Sequence, residues 1–227
     1  SGAGAVPGAW PGLASIQDPR RAGSGHVCGG TLITPGWVLT AARCFLRARN
    51  VSTWRVVLGA SDLSDPGPEA QVRQVRRLRE HRELDVALLE LEQPVECSDY
   101  IQLGCVAEGE LRPDELTACY IGGWGSIAGT DPGPTLPGPP RPFPSPGLGS
   151  PRSGQCLPEP GTRLEPGRQR GPRPDPPSPP QGDSGGPLVC RDPDSDQFWV
   201  VGVTSWGRSC VFTPTWHFSR WILQQLG

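Results

Sequence analysis

The sequence predicts an all-β protein of 227 residues. Short apolar runs alternate with turns rich in glycine, proline and aspartate, which is typical of antiparallel β-structure. In the first half of the chain these runs span residues 13–17, 26–33, 36–42, 54–58 and 86–91. An acidic, proline-bearing loop at 61–69 separates the last two runs. We expect this half to form one β-barrel, and the remaining length is enough for a second small core.

Eight cysteines at irregular spacing, with no Cys-x-x-Cys pair, indicate disulfide bonds and not a metal site. They place the chain in the secretory pathway, where the sequon at Asn50 is a candidate N-glycosylation site. A net charge of -2 favours no particular partner, and neither a nucleic acid nor a membrane is expected. The sequence starts at Ser1 with no signal-peptide pattern, so we expect a mature or truncated product.

Ser184 is the candidate nucleophile because it lies in a tight, glycine-rich string, Gly-Asp-Ser-Gly-Gly-Pro-Leu-Val-Cys, that begins at Gly182. Glycines supply the φ values of such a turn and let backbone N–H groups converge on one point, as an oxyanion hole requires. The amides of Gly182 and Ser184 are the candidate donors. The string resembles the active-serine motif of the trypsin and chymotrypsin family, as does the Gly-Trp-Gly at 123–125.

This resemblance implies two antiparallel six-stranded β-barrels and a C-terminal helix at about 214–226 that docks on the second barrel. It divides the chain into a first barrel at 1–96, a linker at 97–118 and a second barrel at 119–227. It implies peptide-bond hydrolysis in a protein or peptide substrate, with no cofactor and no metal. The implied disulfides are Cys28–Cys44 and Cys119–Cys190. The implied substrate-binding residues are Ser205, Trp206 and Gly207, whose backbone would pair with an extended substrate.

The residue at the position of the catalytic base departs from the family pattern. The family has Thr-Ala-Ala-His-Cys, and here the string is Thr-Ala-Ala-Arg-Cys with Arg43 in place of the histidine. Arginine stays protonated and has no lone pair to accept the serine proton. Asp85, in a Leu-Asp-Val-Ala-Leu-Leu string, matches the carboxylate that orients the histidine. It would instead form a bidentate pair with Arg43, which predicts a structural role for both residues.

None of the three histidines is an evident substitute for the base. We expect His81 to be a solvated loop residue and His217 to lie on the surface of the terminal helix. His26 resembles the histidine that binds the aspartate beside the active serine in inactive precursors of the family. Ser15, His26 and Asp183 would then form a resting-state network, but an ordinary strand histidine with satisfied hydrogen bonds explains His26 equally well.

Residues 131–180 differ from the rest of the chain, because 18 of these 50 residues are proline and eight are glycine. We expect a disordered or polyproline segment in place of barrel strands, which leaves the second barrel incomplete. Ser178 is six residues before the candidate nucleophile, where trypsin-like members carry the aspartate that binds arginine or lysine. Pro180 replaces a family cysteine, and Cys156 is the substitute partner for Cys210.

The closely spaced Cys97 and Cys105 resemble those of acrosin-like members, in which two such cysteines bind a short light chain. The two cysteines either bind such a chain or pair with each other. The resemblance also implies that an amino terminus freed by cleavage pairs with Asp183, and the residues from Ser1 do not match that terminus. Asp183 would then lack its cationic partner.

Three functions are compatible with these residues. In the first, the chain is an inactive or severely impaired acrosin-like protease, and this reading includes a defective copy of such a protease with no activity of its own. Alternatively it is an active secreted serine endopeptidase, or a pseudoprotease that binds egg-coat or other glycoproteins. The resemblance places it in the extracellular space or the acrosomal lumen.

Overall fold

The computed structural model describes residues 7–106, 116–124, 184–192, 197–205 and 212–226. In this part of the chain there are eleven β-strands and one α-helix, so the all-β prediction with a terminal helix is confirmed. The elements are β1 Leu13–Gln17, β2 His26–Thr34, β3 Trp37–Thr40, β4 Arg55–Leu58, β5 Gln71–His81, β6 Val86–Leu91, β7 Cys105–Val106, β8 Thr117–Ile121, β9 Pro187–Arg191, β10 Phe198–Thr204, β11 Phe212–Pro214 and α1 Ser219–Leu226.

The first six strands form a closed antiparallel barrel in the order β1-β2-β3-β6-β5-β4. Closure satisfies the backbone groups that an open sheet would leave at its edges. The apolar runs of the sequence supply the interior, where Ile16, Leu32, Leu39, Leu58 and Leu89 are completely buried. Each such side chain contributes about 1.5–3 kcal/mol relative to an exposed one. The predicted first barrel is therefore present.

The second sheet has the order β11-β10-β9-β8, and β7 pairs with β10 in parallel. Its core contains Leu116, Leu188 and Val201. A disulfide between Cys119 and Cys190 joins the neighbouring strands β8 and β9. The expected gap in this barrel falls on 131–180, which lies outside the described residues, and the domain boundaries remain a prediction.

The terminal helix begins later than expected, at Ser219, after a 3₁₀ turn at Thr215–His217. Phe218 separates the two because its φ of -129° is not helical. Trp221 and Gln225 on the helix contact β5 of the first barrel, and the preceding 3₁₀ turn contacts β10 of the second sheet. These contacts add the first barrel to the expected docking on the second. His81 packs edge-on against Trp221 with ring centroids 5.7 Å apart, and Arg79 Nη1 donates to Gln225 Oε1 at 3.0 Å.

The same contacts correct the expectation for His81, which is the half-buried last residue of β5 and not a solvated loop residue. His217 is exposed in the 3₁₀ turn that precedes the helix. Within the described residues, no helix has the length and apolar character needed to cross a bilayer.

Candidate active site

Asp85 sits at the rim of the first barrel, directly before β6. A 3₁₀ turn at Arg82–Leu84 ends at Asp85, whose φ of 53° and ψ of 41° lie in the left-handed region. Aspartate adopts this region more readily than most residues because its short polar side chain can bond locally. The Asp85 carbonyl accepts a bond from the Ala42 amide at 3.3 Å. This bond fixes the turn against the segment that carries Arg43.

Arg43 and Asp85 are in direct contact, and Ser205 is the third member of the cluster. The Arg43 amide donates to Asp85 Oδ1 at 2.9 Å and Arg43 Nε donates to Oδ2 at 2.5 Å. The Ser205 hydroxyl donates to the same Oδ2 at 2.8 Å. The contact therefore differs from the expected fork of two guanidinium nitrogens, because the bond to Oδ1 comes from the backbone. The spacing of the sequence did not reveal the Ser205 contact.

The chemistry of this cluster is that of a charge pair, not of a proton relay. The side chains of Arg43 and Asp85 are only 22% and 18% exposed, so water screens their attraction partially. The Nε–H that contacts the carboxylate is a donor, and a guanidinium offers no lone pair toward the nucleophile. The carboxylate accepts three hydrogen bonds from two residues, which satisfies a partly buried charge. The Ser205–Asp85 bond joins the second sheet to the first barrel, but the cluster cannot take up a proton from serine.

Ser184 lies at the junction of the first barrel and the second sheet, in the turn before β9. The Gly29 amide on β2 donates to the Ser184 carbonyl at 2.9 Å. The next residue, Gly185, has a φ of +84° and donates to the Thr204 carbonyl on β10 at 2.7 Å. A Cβ at position 185 would overlap Thr40 Oγ1 and lie 2.6 Å from the Gly29 carbonyl. Only glycine fits this turn, and the turn places Ser184 between the first barrel and the second sheet.

Several residues predicted for the site lie outside the described residues. These are the oxyanion donor Gly182, its neighbour Asp183, and the substrate-binding candidates Ser178, Trp206 and Gly207. The position of Ser205 is described, and its hydroxyl is directed to Asp85. The roles of all these residues therefore remain predictions.

A chain of polar side chains leads from the surface to His26. Arg55 Nε donates to Gln17 Oε1 at 2.8 Å, and Gln17 Nε2 donates to the Ser15 hydroxyl at 3.2 Å. Ser15 Oγ and His26 Nδ1 are 2.7 Å apart. Ser15 is completely buried, so leaving its contact with His26 unmade would cost about 1–3 kcal/mol.

The pairing of the described cysteines is clear in the structure. Cys28 is bonded to Cys44, which ties β2 to the residue beside Arg43. Cys97 and Cys105 are both free thiols, so they do not pair with each other here. Gln197 Nε2 donates to Cys105 Sγ at 3.2 Å. Cys156 and Cys210 lie outside the described residues, so their pairing remains a prediction.

The remaining predicted site is the sequon, which is on the surface. Asn50 Oδ1 accepts bonds from the Ser52 amide at 3.1 Å and the Ser52 hydroxyl at 2.7 Å. Both residues are exposed and within reach of a modifying enzyme. In the described part of the chain, no group of three or more His, Cys, Asp or Glu side chains is arranged to hold a metal ion.

Two comparisons with known proteins agree with this geometry. The family model described as Trypsin matches residues 1–137 and 169–222. The atrial natriuretic peptide-converting enzyme of Homo sapiens is 33% identical over 238 residues, and the match covers 97% of this chain. It covers 22% of that enzyme, so the chain spans about a fifth of this relative's length.

Proposed function

This chain belongs to the trypsin family of serine proteases, and on that premise we propose that it is an acrosin-like member with little or no peptidase activity. The contact between Arg43 and Asp85 carries the proposal. In a working triad the base accepts the serine proton and its partner carboxylate orients it. Here the carboxylate holds a permanent cation. Without a base, the Ser184 hydroxyl is a weak nucleophile at neutral pH.

The magnitude of the expected defect follows from the missing triad member. Losing one member leaves residual catalysis of about 10³–10⁴ over water, which comes from the oxyanion hole and substrate binding. The three histidines have other contacts: His26 Nδ1 lies 2.7 Å from Ser15 Oγ, His81 packs against Trp221, and His217 packs against Trp216. The proposal therefore assigns Ser184, Asp85 and Arg43 to a site that retains its framework but has lost proton transfer.

A second candidate function is a binding module on a protease scaffold, with glycoprotein ligands such as those of an egg coat. The Cys28–Cys44 and Cys119–Cys190 disulfides and the Arg43–Asp85 pair support this candidate, because they stabilise a fold whether or not it is catalytic. A disulfide-linked light chain is compatible with Cys97, whose thiol is exposed and unpaired. Disulfide-bonded members of this family are typically secreted, and the acrosomal lumen is the proposed location.

A fluorophosphonate probe, which reacts with activated serines, tests the loss of catalysis. We expect the purified chain to be labelled no faster than its Ser184→Ala variant. Rapid labelling that requires Ser184 would overturn the proposal and favour an active endopeptidase. A thermal melt followed by circular dichroism then distinguishes the remaining alternatives. A cooperative transition supports a folded binding module, and its absence supports a defective copy.

A further inference from the structure

The connection between β1 and β2 is a loop, residues 18–25, whose two ends are held together at its base. The Asp18 amide donates to the Gly25 carbonyl at 2.9 Å, and a Cβ at Gly25 would lie 2.7 Å from the Asp18 carbonyl oxygen. Residues 19–23 are all exposed, and nothing lies within 4 Å of a Cβ built at Gly23. Exposed loop tips with small residues are preferred sites of proteolytic cleavage. This loop is therefore a candidate substrate for a protease.

Two consecutive arginines lie in this loop, and they differ in how they are held. Arg20 Nε donates to Asp18 Oδ1 at 3.1 Å, and Arg20 Nη2 donates to Oδ2 at 3.2 Å. Arg21 is exposed, and its amide donates to the Asp18 carbonyl at 3.0 Å. The part of the chain that the structure describes contains no ion pair for the Arg21 guanidinium. The Arg21 side chain can therefore enter the specificity pocket of a protease that cleaves after arginine.

The turn at Arg21 has to open before a protease can cut it, because such enzymes bind an extended peptide beside their own strands. Among the described residues, the bonds that hold this turn all end on Asp18. The Arg20 side chain is 55% exposed, and ion pairs of exposed side chains are weak. The tip can open while β1 and β2 stay paired, so this opening is local.

A second bond of the same composition, Arg47–Ala48, is protected by the fold. Arg47 is also exposed, but the Ala48 amide donates to the Phe45 carbonyl at 2.9 Å, and Ala48 packs against the core of the first barrel. Phe45 is only 5% exposed and follows Cys44, which is bonded to Cys28. An extended conformation at Arg47 therefore requires this segment to leave the core. The two Arg-Ala bonds have the same local chemistry and differ in their surroundings.

We propose that the Arg21–Ala22 bond is a processing site for an endopeptidase that cleaves after arginine, and that the cut protein remains one folded unit. Hydrolysis breaks the peptide C–N bond. The oxygen of water adds to the Arg21 carbonyl carbon, which becomes a carboxylate, and Ala22 acquires a free amine. The cutting enzyme is a second protein, so the processing does not require this chain to be active.

The fragment that ends at Arg21 contains no cysteine, so non-covalent contacts have to hold it in the cut protein. It contains β1, which hydrogen-bonds to β2 at one edge and to β4 at the other. Ala14, Ser15 and Ile16 are completely buried in the closed barrel. The 2.7 Å contact between Ser15 Oγ and His26 Nδ1 would then join two fragments. Processing therefore makes this contact depend on an intact barrel.

Limited digestion of the folded chain with trypsin tests the proposal by measuring new amino termini at the two Arg-Ala bonds. We expect the terminus at Ala22 to form at least about tenfold faster than the one at Ala48, because only the first bond opens locally. After denaturation and reduction the two bonds should be cut at similar rates. After digestion of the folded chain, residues 1–21 should elute with the remainder in gel filtration and separate from it in denaturant.

Substitutions in the whole chain identify the bond and the contact that guards it. Arg21→Gln should abolish the terminus at Ala22, whereas Arg47→Gln, the matched control, should leave its rate of formation unchanged. Asp18→Asn weakens the pairing with Arg20 and keeps both arginines of the loop. It should raise the rate of cleavage at Ala22, because the turn opens more often.

Four results would each overturn the proposal. These are equal rates at the two bonds in the folded chain, no terminus at Ala22, and elution of residues 1–21 apart from the cut protein. The fourth is an Ala22 terminus that forms without added trypsin and is lost in Ser184→Ala, because the chain would then cut itself.

Discussion

Replacing Arg43 with histidine tests whether the missing base limits the reactivity of Ser184. The carboxylate is already in place, because Asp85 Oδ2 accepts a bond from Arg43 Nε at 2.5 Å and from the Ser205 hydroxyl at 2.8 Å. An imidazole at position 43 can donate its Nδ1–H to the same oxygen. The substitution then supplies the lone pair on Nε2 that the guanidinium lacks.

The expected gain follows from the contribution of a positioned general base, which is about 10²–10⁴-fold. This corresponds to about 2.7–5.5 kcal/mol of transition-state stabilisation. We therefore expect Arg43→His to raise the rate of fluorophosphonate labelling at Ser184 by at least about a hundredfold. Trypsin-like cleavage after arginine or lysine should still be absent, since Ser178 stands where the resemblance places the specificity aspartate.

Two control variants separate the effect of adding a base from the effect of removing the cation, and show whether the labelling occurs at Ser184. Arg43→Gln removes the cation without supplying a base and should be labelled at the wild-type rate, and Ser184→Ala in the Arg43→His chain should abolish labelling. The rate in Arg43→His should rise with pH through about 6.5, because only the neutral imidazole accepts a proton. Equal labelling of the histidine and glutamine variants would refute the view that a missing base is the main lesion. Full trypsin-like cleavage by Arg43→His would show that the pocket is intact.

Three further predictions concern stability and modification. Gly185→Ala should cost more than about 3 kcal/mol in a thermal melt, because the added Cβ overlaps Thr40 and the φ is +84°. Gly23→Ala should cost only about 1–2 kcal/mol, because its φ of +70° is unfavourable for alanine but nothing lies within 4 Å of the added Cβ. Equal losses would contradict the packing argument. Replacing the Cys28–Cys44 disulfide, whose sequence separation is 16, by two alanines should cost about 3 kcal/mol in denaturant unfolding, and an unchanged midpoint would argue against the bond. Asn50→Gln should abolish a glycosidase-sensitive shift in gel mobility when the chain is secreted from animal cells, and a persistent shift would place the glycan elsewhere.

The strands of the first barrel follow from the sequence wherever one face is apolar, and β5 shows the limit of that signal. Its 11 residues contain four arginines, and the bulge at Arg76 disrupts the period of two on which strand prediction depends. Its partners β4 and β6 hydrogen-bond to both of its edges and hold it in the barrel. Tertiary pairing therefore decides this element, and the local residue pattern does not.

Some contacts of the candidate site could likewise be predicted from local motifs, and others join residues that are distant in the sequence. Motifs predicted the contact of Arg43 with Asp85, because each lies in a string that resembles a family segment. They did not predict that Ser205, 120 residues away in the sequence, donates to the same carboxylate. Likewise Gln17 is two residues from Ser15 on the same strand, and only the fold shows that it links Arg55 to the His26 network. Side-chain contacts between distant strands leave no local pattern to read.

The glycine turn at Ser184 and the arginine at position 43, where the family has histidine, differ in what they indicate about activity. Gly185 must be glycine because a side chain there would meet Thr40 and the Gly29 carbonyl, whether or not Ser184 ever reacts. Packing between the barrels is thus sufficient to explain the turn. Arg43 is paired with Asp85, and a guanidinium can satisfy that carboxylate as an imidazole would. The glycine turn therefore reports the fold, and the proposal that the chain has little or no peptidase activity rests on residue 43.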